Sequence, residues 1–393
     1  MNARDAEFSV AHADWLPSVL VGSYMVLTSI AAFWLPVYFA DQLGFSGAQI
    51  GLLFSINAIA GVLAALPAGL GNDRISSRTL VVVALAAQLL AIYLLGGVRL
   101  FPATLLVFLA WSVANNLFRQ SMEMQLLKTD TGARTGRRVG LFVAWRFGGL
   151  LAGTILAGYL LHWLDFRGSF RALAGVGVLL LAPACLLPPT RLAPVRLADY
   201  FADLRDLRVL LFAGWMFLFT THWGVESTCY SLFLRRTMGL SLRSMGWYMS
   251  AEFAAVVAAA LFVAPRLGRR LSLTNLALGG VALSGVGHIG MTIGNVWISV
   301  AFRAVHGLGD GALAVLLYVG FSRLFNIERL GGAAGAINLA MMIGQIAGAM
   351  IAGPVGEKFG YALPIWTSGV LLLALATPLA AKSWRDRRVE RIE

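Results

Sequence analysis

Charge is scarce in this 393-residue chain. Asp, Glu, Lys and Arg make up 13% of it, where an ordinary soluble domain carries roughly 25%. With 59% hydrophobic residues and a mean hydropathy of +0.77, that shortage excludes a soluble globule, a disordered tail and a coiled coil. Cysteine is scarcer still: Cys185 and Cys229 both lie in apolar runs, which argues against a disulfide framework and a thiolate metal site. The sequence has no P-loop Gly-Lys-Ser/Thr signature, no Ser-His-Asp order and no metal-hydrolase motif, so no enzyme, no ATP hydrolysis and no cofactor is expected. Basic residues outnumber acids to give a net charge of +12, yet they punctuate apolar runs instead of gathering on one face, and no nucleic-acid partner is expected. The first apolar run follows Arg4, Asp5, Glu7 and Asp14; it is too long for a signal-peptide core and has no small-residue cleavage site, so it should remain as a helix.

Long apolar runs are what the chain has in abundance. A membrane helix needs about 20 mostly apolar residues, and twelve such runs lie near 17–40, 48–70, 79–97, 101–125, 139–162, 171–189, 209–234, 243–265, 271–293, 296–321, 332–354 and 361–381. Helices are required because lipid offers no partner for an unpaired backbone amide. With the N-terminus inside, 21 of the 31 basic residues fall in cytoplasmic segments and 7 on the opposite side, so the positive-inside rule places both termini in the cytoplasm. The longest internal gap, 190–208, holds Leu197, Tyr200, Phe201, Leu204 and Leu207 at helical spacing opposite Asp199, Asp203, Arg205 and Asp206, which predicts an amphipathic linker helix on the inner surface.

The two halves repeat. At an offset of 195, Gly44, Ser46, Gly51 and Ser55 fall on Gly239, Ser241, Gly246 and Ser250, and Arg134, Gly136 and Gly140 fall on Arg329, Gly331 and Gly335. Parallel repeats in a membrane protein point to a carrier with its site between duplicated bundles. The loop GLGNDRISSR at 69–78 resembles the signature of the major facilitator superfamily through Gly69, Asp73, Arg74 and Arg78, with Ser76 and Ser77 in place of its usual Gly and basic residue. The second copy, PRLGRR at 265–270, has Pro265 where the acid would be, and FRAVHGLGDG at 302–311 is similar to a further Arg-x-x-x-Gly-x-Gly pattern of that superfamily. The resemblance implies an all-α membrane protein of twelve transmembrane helices in two pseudo-symmetric six-helix bundles, 1–189 and 209–393, joined by the linker 190–208. It also implies alternating access about a cavity lined by spans 1, 4, 7 and 10, gated by Gly69, Asp73, Arg74, Arg78 and Arg138. A carboxylate such as Asp73 can cap a helix N-terminus and pair with a basic residue, a contact that opening must break.

An ionisable side chain at bilayer depth costs about 2.5–3.5 kcal/mol on insertion scales, so each needs a partner, water or a function. Span 4 carries Asn115, Asn116, Arg119 and Glu123, span 5 Arg146 beside Trp145, span 7 His222 and Glu226, span 8 Glu252, and span 10 Arg303, His306 and Asp310. Residues three or four apart share a helix face, so these form stripes. Burial penalises a charged carboxylate and a nearby cation favours it, which lets a buried acid beside His or Arg exchange a proton near neutral pH. The expectation is therefore a relay through Glu226, Asp310, His222 and His306, with Glu252 and Glu123 as further acids. The guanidiniums of Arg119, Arg146 and Arg303, helped by Asn115, Trp145 and Trp223, would hold an anionic or polar solute. Structural ion pairs, Arg119 with Glu123 and Arg303 with Asp310, stand as the alternative, and His288 reads as a packing residue. GGLLAG at 148–153 and GQIAGAM at 344–350 read as close-packing surfaces. The resulting expectation is a monomeric, proton-coupled secondary transporter of a small organic solute in a bacterial inner membrane, with a multidrug efflux antiporter, a divalent-metal carrier and a non-transporting receptor left open.

Overall fold

The computed structural model describes residues 3–45, 47–129, 135–160, 165–190, 205–267 and 271–389. Among these there is no strand. Twelve long helices follow one another: α1 (Ala3–Val37), α2 (Gly47–Arg74), α3 (Ser77–Leu95), α4 (Phe101–Lys128), α5 (Thr135–Leu160), α6 (Phe166–Val178), α7 (Leu207–Val225), α8 (Leu242–Val263), α9 (Leu273–Gly290), α10 (Val296–Leu324), α11 (Leu330–Phe359) and α12 (Ala362–Val389). Their starts are locally encoded. Asp165, Ser241 and Ser272 cap α6, α8 and α9 by accepting from the amides of Gly168, Ser244 and Asn275, and Pro102 opens α4 without wasting a donor. Ten helices among the described residues are long and apolar enough to cross a membrane. The two outside that set, α7 and α9, have their hydropathy lowered by polar groups they carry, His222 and His288 among them. Leu63, Leu100 and Trp297, exposed by 70%, 74% and 81%, are side chains that water would not favour and acyl chains would. Most of the linker expected at 190–208 lies outside the described residues.

The helices form two compact units: Met1–Arg134, Gly148–Asp206 and Phe321–Leu339 in the first, and Thr135–Phe147, Leu207–Gly320 and Ala340–Glu393 in the second. In the first unit Tyr24 of α1 stacks on Phe118 of α4 with ring centroids 3.6 Å apart and donates to Asn115 Oδ1 at 2.9 Å. In the second, Tyr230, Phe233, Leu234, Tyr248, Met291 and Ile365 form an apolar cluster.

The repeat is structural as well as sequential. Helix α1 ends in a π-helical turn at Tyr38–Gln42 and α7 continues into one at Phe233–Thr237, an offset of 195. Each is followed by a glycine in the left-handed region, Gly44 at φ 65° and Gly239 at φ 67°, where a Cβ would be strained. The small-residue stripes also match: Gly149 and Gly153 of α5 seat against the backbone of Gly22 and Val26 on α1, and Gly344 and Gly348 of α11 against Phe217 and Thr221 on α7. Both read from the sequence as close-packing surfaces, and both are.

A candidate cation-loading site in the second unit

Buried ionisable groups of α7, α8, α9 and α10 meet in one place, and glycines let α8 and α9 approach α10. A Cβ on Gly287 of α9 would collide with the His306 backbone, one on Gly307 of α10 with the Glu252 carbonyl on α8, and one on Gly309 with Ser284 of α9. Arg303, His306 and Asp310 share a face of α10 at helical spacing. Helix α7 brings His222 and Trp223, and its continuation is a further π-turn, Glu226–Tyr230, opening on Glu226. No such turn occupies the equivalent stretch of α1, which is regular α-helix; an extra residue per turn re-aims side chains, a distortion common at functional sites.

Arg303 is buried to 1% exposure and donates to Glu226 Oε1 and Glu252 Oε2. Its guanidinium lies 4.2 Å from the centre of the Tyr230 ring, a cation–π contact. His222 Nε2 is 3.2 Å from Asp310 Oδ2, which also accepts from Trp223 Nε1 at 2.7 Å, while Asp310 Oδ1 accepts from Ser284 Oγ at 2.7 Å. His306 Nε2 lies 3.3 Å from Glu226 Oε1 and 3.8 Å from both Glu252 Oε1 and Asp310 Oδ2. His288 Nε2 is 3.0 Å from Glu226 Oε1. The cluster thus holds three carboxylates against one guanidinium, which leaves an excess of two negative charges when all three acids are ionised and the imidazoles neutral. Two donor sets, His222 with His306 and Asp310, and Glu226 with His288 and His306, each have their ligand atoms within 4.8 Å of one another.

In the first unit, Asp73 is fully buried at the end of α2. Its carboxylate accepts from the amides of Gly331 and Gly332 at 2.9 and 2.6 Å, where α11 begins, and takes Lys128 Nζ at 2.5 Å. It thereby fills the orphan donors and positive dipole end of a helix. Gly69 of α2 packs on the Gly331 backbone and Gly335 on Ala65.

A family model described as Major Facilitator Superfamily matches residues 18–234 and 216–392. The chain belongs to the major facilitator superfamily. It is accordingly a multi-pass membrane transporter and not an enzyme, built to bind a small solute within a lipid bilayer. Among solved structures it is similar to the human organic anion transporter MFSD10 (TETRAN), with 15% identity over 95% of this chain and 99% of that one and a TM-score of 0.74. It is also similar to the proton:xylose symporter XylE, with 12% identity over 94% of each chain and a TM-score of 0.72. The transporter FucP, in the outward conformation, matches with 10% identity over 93% of this chain and 97% of that one at a TM-score of 0.71. No curated protein matches the sequence.

Within this major facilitator chain, Glu226, Glu252, His222, Trp223, Arg303, His306 and Asp310 come together. Arg146 sits apart on α5, donating to the Tyr318 hydroxyl, beside a half-exposed Trp145. Asn115, Arg119 and the buried Glu123 lie on α4 in the first unit, Arg74 is exposed and Arg138 buried. Two expectations need correction. Arg303 pairs with Glu226 and Glu252, not Asp310, because 303 and 310 are two helical turns apart, about 10 Å along the axis. His288 is a member of the cluster and not a packing residue; its signal was the Gly280, Ser284, Gly287 stripe that turns this face of α9 toward α10.

Proposed function

We propose that this transporter moves a small organic solute by alternating access across a bacterial inner membrane, with both termini cytoplasmic, and draws on the proton gradient. The observation that carries the reading is the buried cluster of α7 to α10, whose carboxylates outnumber its single guanidinium and whose excess negative charge is relieved by taking up positive charge from outside the protein. Glu226, Asp310, Glu252, His222 and His306 accept and pass the coupling proton, and Glu123 serves the first unit in the same way. Arg119, Arg146 and Arg303, with Asn115, Trp145 and Trp223, hold the solute, whose matching group is an anion or a polar oxygen. Gly69, Asp73, Arg74, Arg78 and Arg138 act as the gate. The duplicated bundles 1–189 and 209–393 are the moving bodies, and the repeated turns and glycine crossings at one offset support that division.

Purified protein in vesicles with the pH dye pyranine inside tests this. Solutes found by thermal-shift screening, organic anions and sugars first, should each move protons on addition and accumulate under an imposed pH gradient. Glu226→Gln and Asp310→Asn should bind solute but lose the response to the gradient. If both variants accumulate solute like the parent, the proton assignment is wrong.

A further inference from the structure

The three imidazoles of the second unit share a habit that proton exchange does not require: each turns Nδ1 outward to an oxygen. His222 Nδ1 is 2.5 Å from the Phe219 carbonyl, and His306 Nδ1 is 3.2 Å from the Ser284 carbonyl and 3.0 Å from its Oγ. His288 Nδ1 is 2.6 Å from Ser368 Oγ, whose own proton goes to the Ile365 carbonyl. Each of these oxygens is an acceptor toward the ring, so Nδ1 carries the proton and a neutral ring presents a bare Nε2 the other way. The three rings converge, with centroids 4.6, 5.3 and 5.4 Å apart. His306 Nε2 is fully buried and makes no hydrogen bond, yet it looks toward the carboxylates of Glu226, Glu252 and Asp310. A lone pair facing three anions is repulsive until the ring takes a proton or a cation lies between them. Imidazoles anchored through the far nitrogen, with the near one aimed inward, are how proteins hold histidine for a metal.

We infer that His222, His306 and Asp310 form a binding site for a divalent transition-metal ion of the zinc class. The inference deepens the function proposed above and rests on it only in taking this cluster as the place where positive charge is loaded. Ligands about 2.0–2.1 Å from a tetrahedral ion stand about 3.3 Å apart; His222 Nε2 and His306 Nε2 lie 3.2 and 3.8 Å from Asp310 Oδ2. Asp310 is preorganised by Ser284 and Trp223 and is free of the arginine. The other donor set shares Glu226 with Arg303, whose fixed charge repels an ion, so the His222 set is the better one. Two nitrogens and one carboxylate oxygen select zinc, cobalt or nickel over magnesium or calcium. A divalent ion also cancels that excess of negative charge, and Glu226, Glu252, His288 and Arg303 surround it as unligated neighbours.

The test uses the full chain in detergent, stripped of metal by chelator, titrated with Zn²⁺ and with Co²⁺. One ion per chain should bind, Co²⁺ should show the intense visible bands of four-coordinate cobalt, and zinc-edge X-ray absorption on the parent protein should show imidazole scattering. His222→Ala and Asp310→Asn should each weaken binding about 100-fold, and Ser284→Ala, a positioning change, about 10-fold. Zinc absorption on the parent protein keeps the test valid if a variant misfolds. Absence of stoichiometric binding, six-coordinate cobalt bound only as the hydrated ion, or well-folded variants that bind as tightly as the parent would each overturn the site. Gradient-driven flux measured separately in zinc-free buffer decides the transport reading, and its failure leaves the titration interpretable.

Discussion

At the scale of single residues, Arg303 organises the most charge. A guanidinium is more weakly hydrated than an ammonium and offers a planar fork, which suits a side chain at 1% exposure shared between Glu226 and Glu252 and laid on Tyr230. Removing it strands two buried carboxylates. Arg303→Met should therefore cost about 3–5 kcal/mol, seen as a lower unfolding midpoint in detergent. The deficit should narrow as pH falls, because orphaned acids relieve themselves by taking protons; a midpoint unchanged at neutral pH would refute the pairing. The stripe of 303, 306 and 310 and the pair 222 and 226 were legible in the sequence, since helical spacing fixes which side chains share a face. Arg303's partners were not, because they lie on two other helices, and the approach of one of them, α8, depends on Gly307. Residue spacing along one helix carries no information about that approach.

At the scale of elements, the helix crossings set what the chain tolerates. A methyl added at Gly224 of α7 would meet the Gln345 carbonyl and the Ala349 amide of α11, both backbone, whereas one at Gly246 of α8 meets nothing within 4 Å. Gly224→Ala should cost about 1–3 kcal/mol by overpacking, while Gly246→Ala should be neutral or stabilising by about 0.5–1 kcal/mol through backbone entropy. Thermal unfolding of the two variants side by side checks the contrast, and equal midpoints would mean that the crossing is not close. The element order was readable from the apolar runs: a helix lies on each of them, although ten are apolar and long enough to cross a membrane and the run 171–189 breaks after Val178. The π-turn at Glu226–Tyr230 was not, because one extra residue in a helical turn leaves no compositional trace and is decided by the packing around it.

At the scale of the whole molecule, the proposed gate and topology are open to direct measurement. Asp73→Asn removes a charge from the start of α11 and leaves the Lys128 ammonium, 1% exposed, without a counter-ion. Alone it should destabilise the protein and slow transport. Combined with Lys128→Met it should recover part of the lost stability, with a coupling of about 0.5–3 kcal/mol in a double-mutant cycle; additive effects would show that the two do not interact. The bias of basic residues predicts that a fluorescent protein fused at Glu393 glows in the cytoplasm and that a phosphatase fused there is inactive; the reverse pattern would invert the proposed orientation.

The glycine contacts of Gly331 and Gly335 with Gly69 and Ala65 recur, 195 residues displaced, in those of Gly136 and Gly140 with Ala264 and Ala260. The aspartate that reinforces the first set has no counterpart in the sequence of the second, which has Pro265 or Gly268 where Asp73 would fall. In the topology proposed above both seams face the cytoplasm, so one carboxylate in the first adds weight to keeping that side shut.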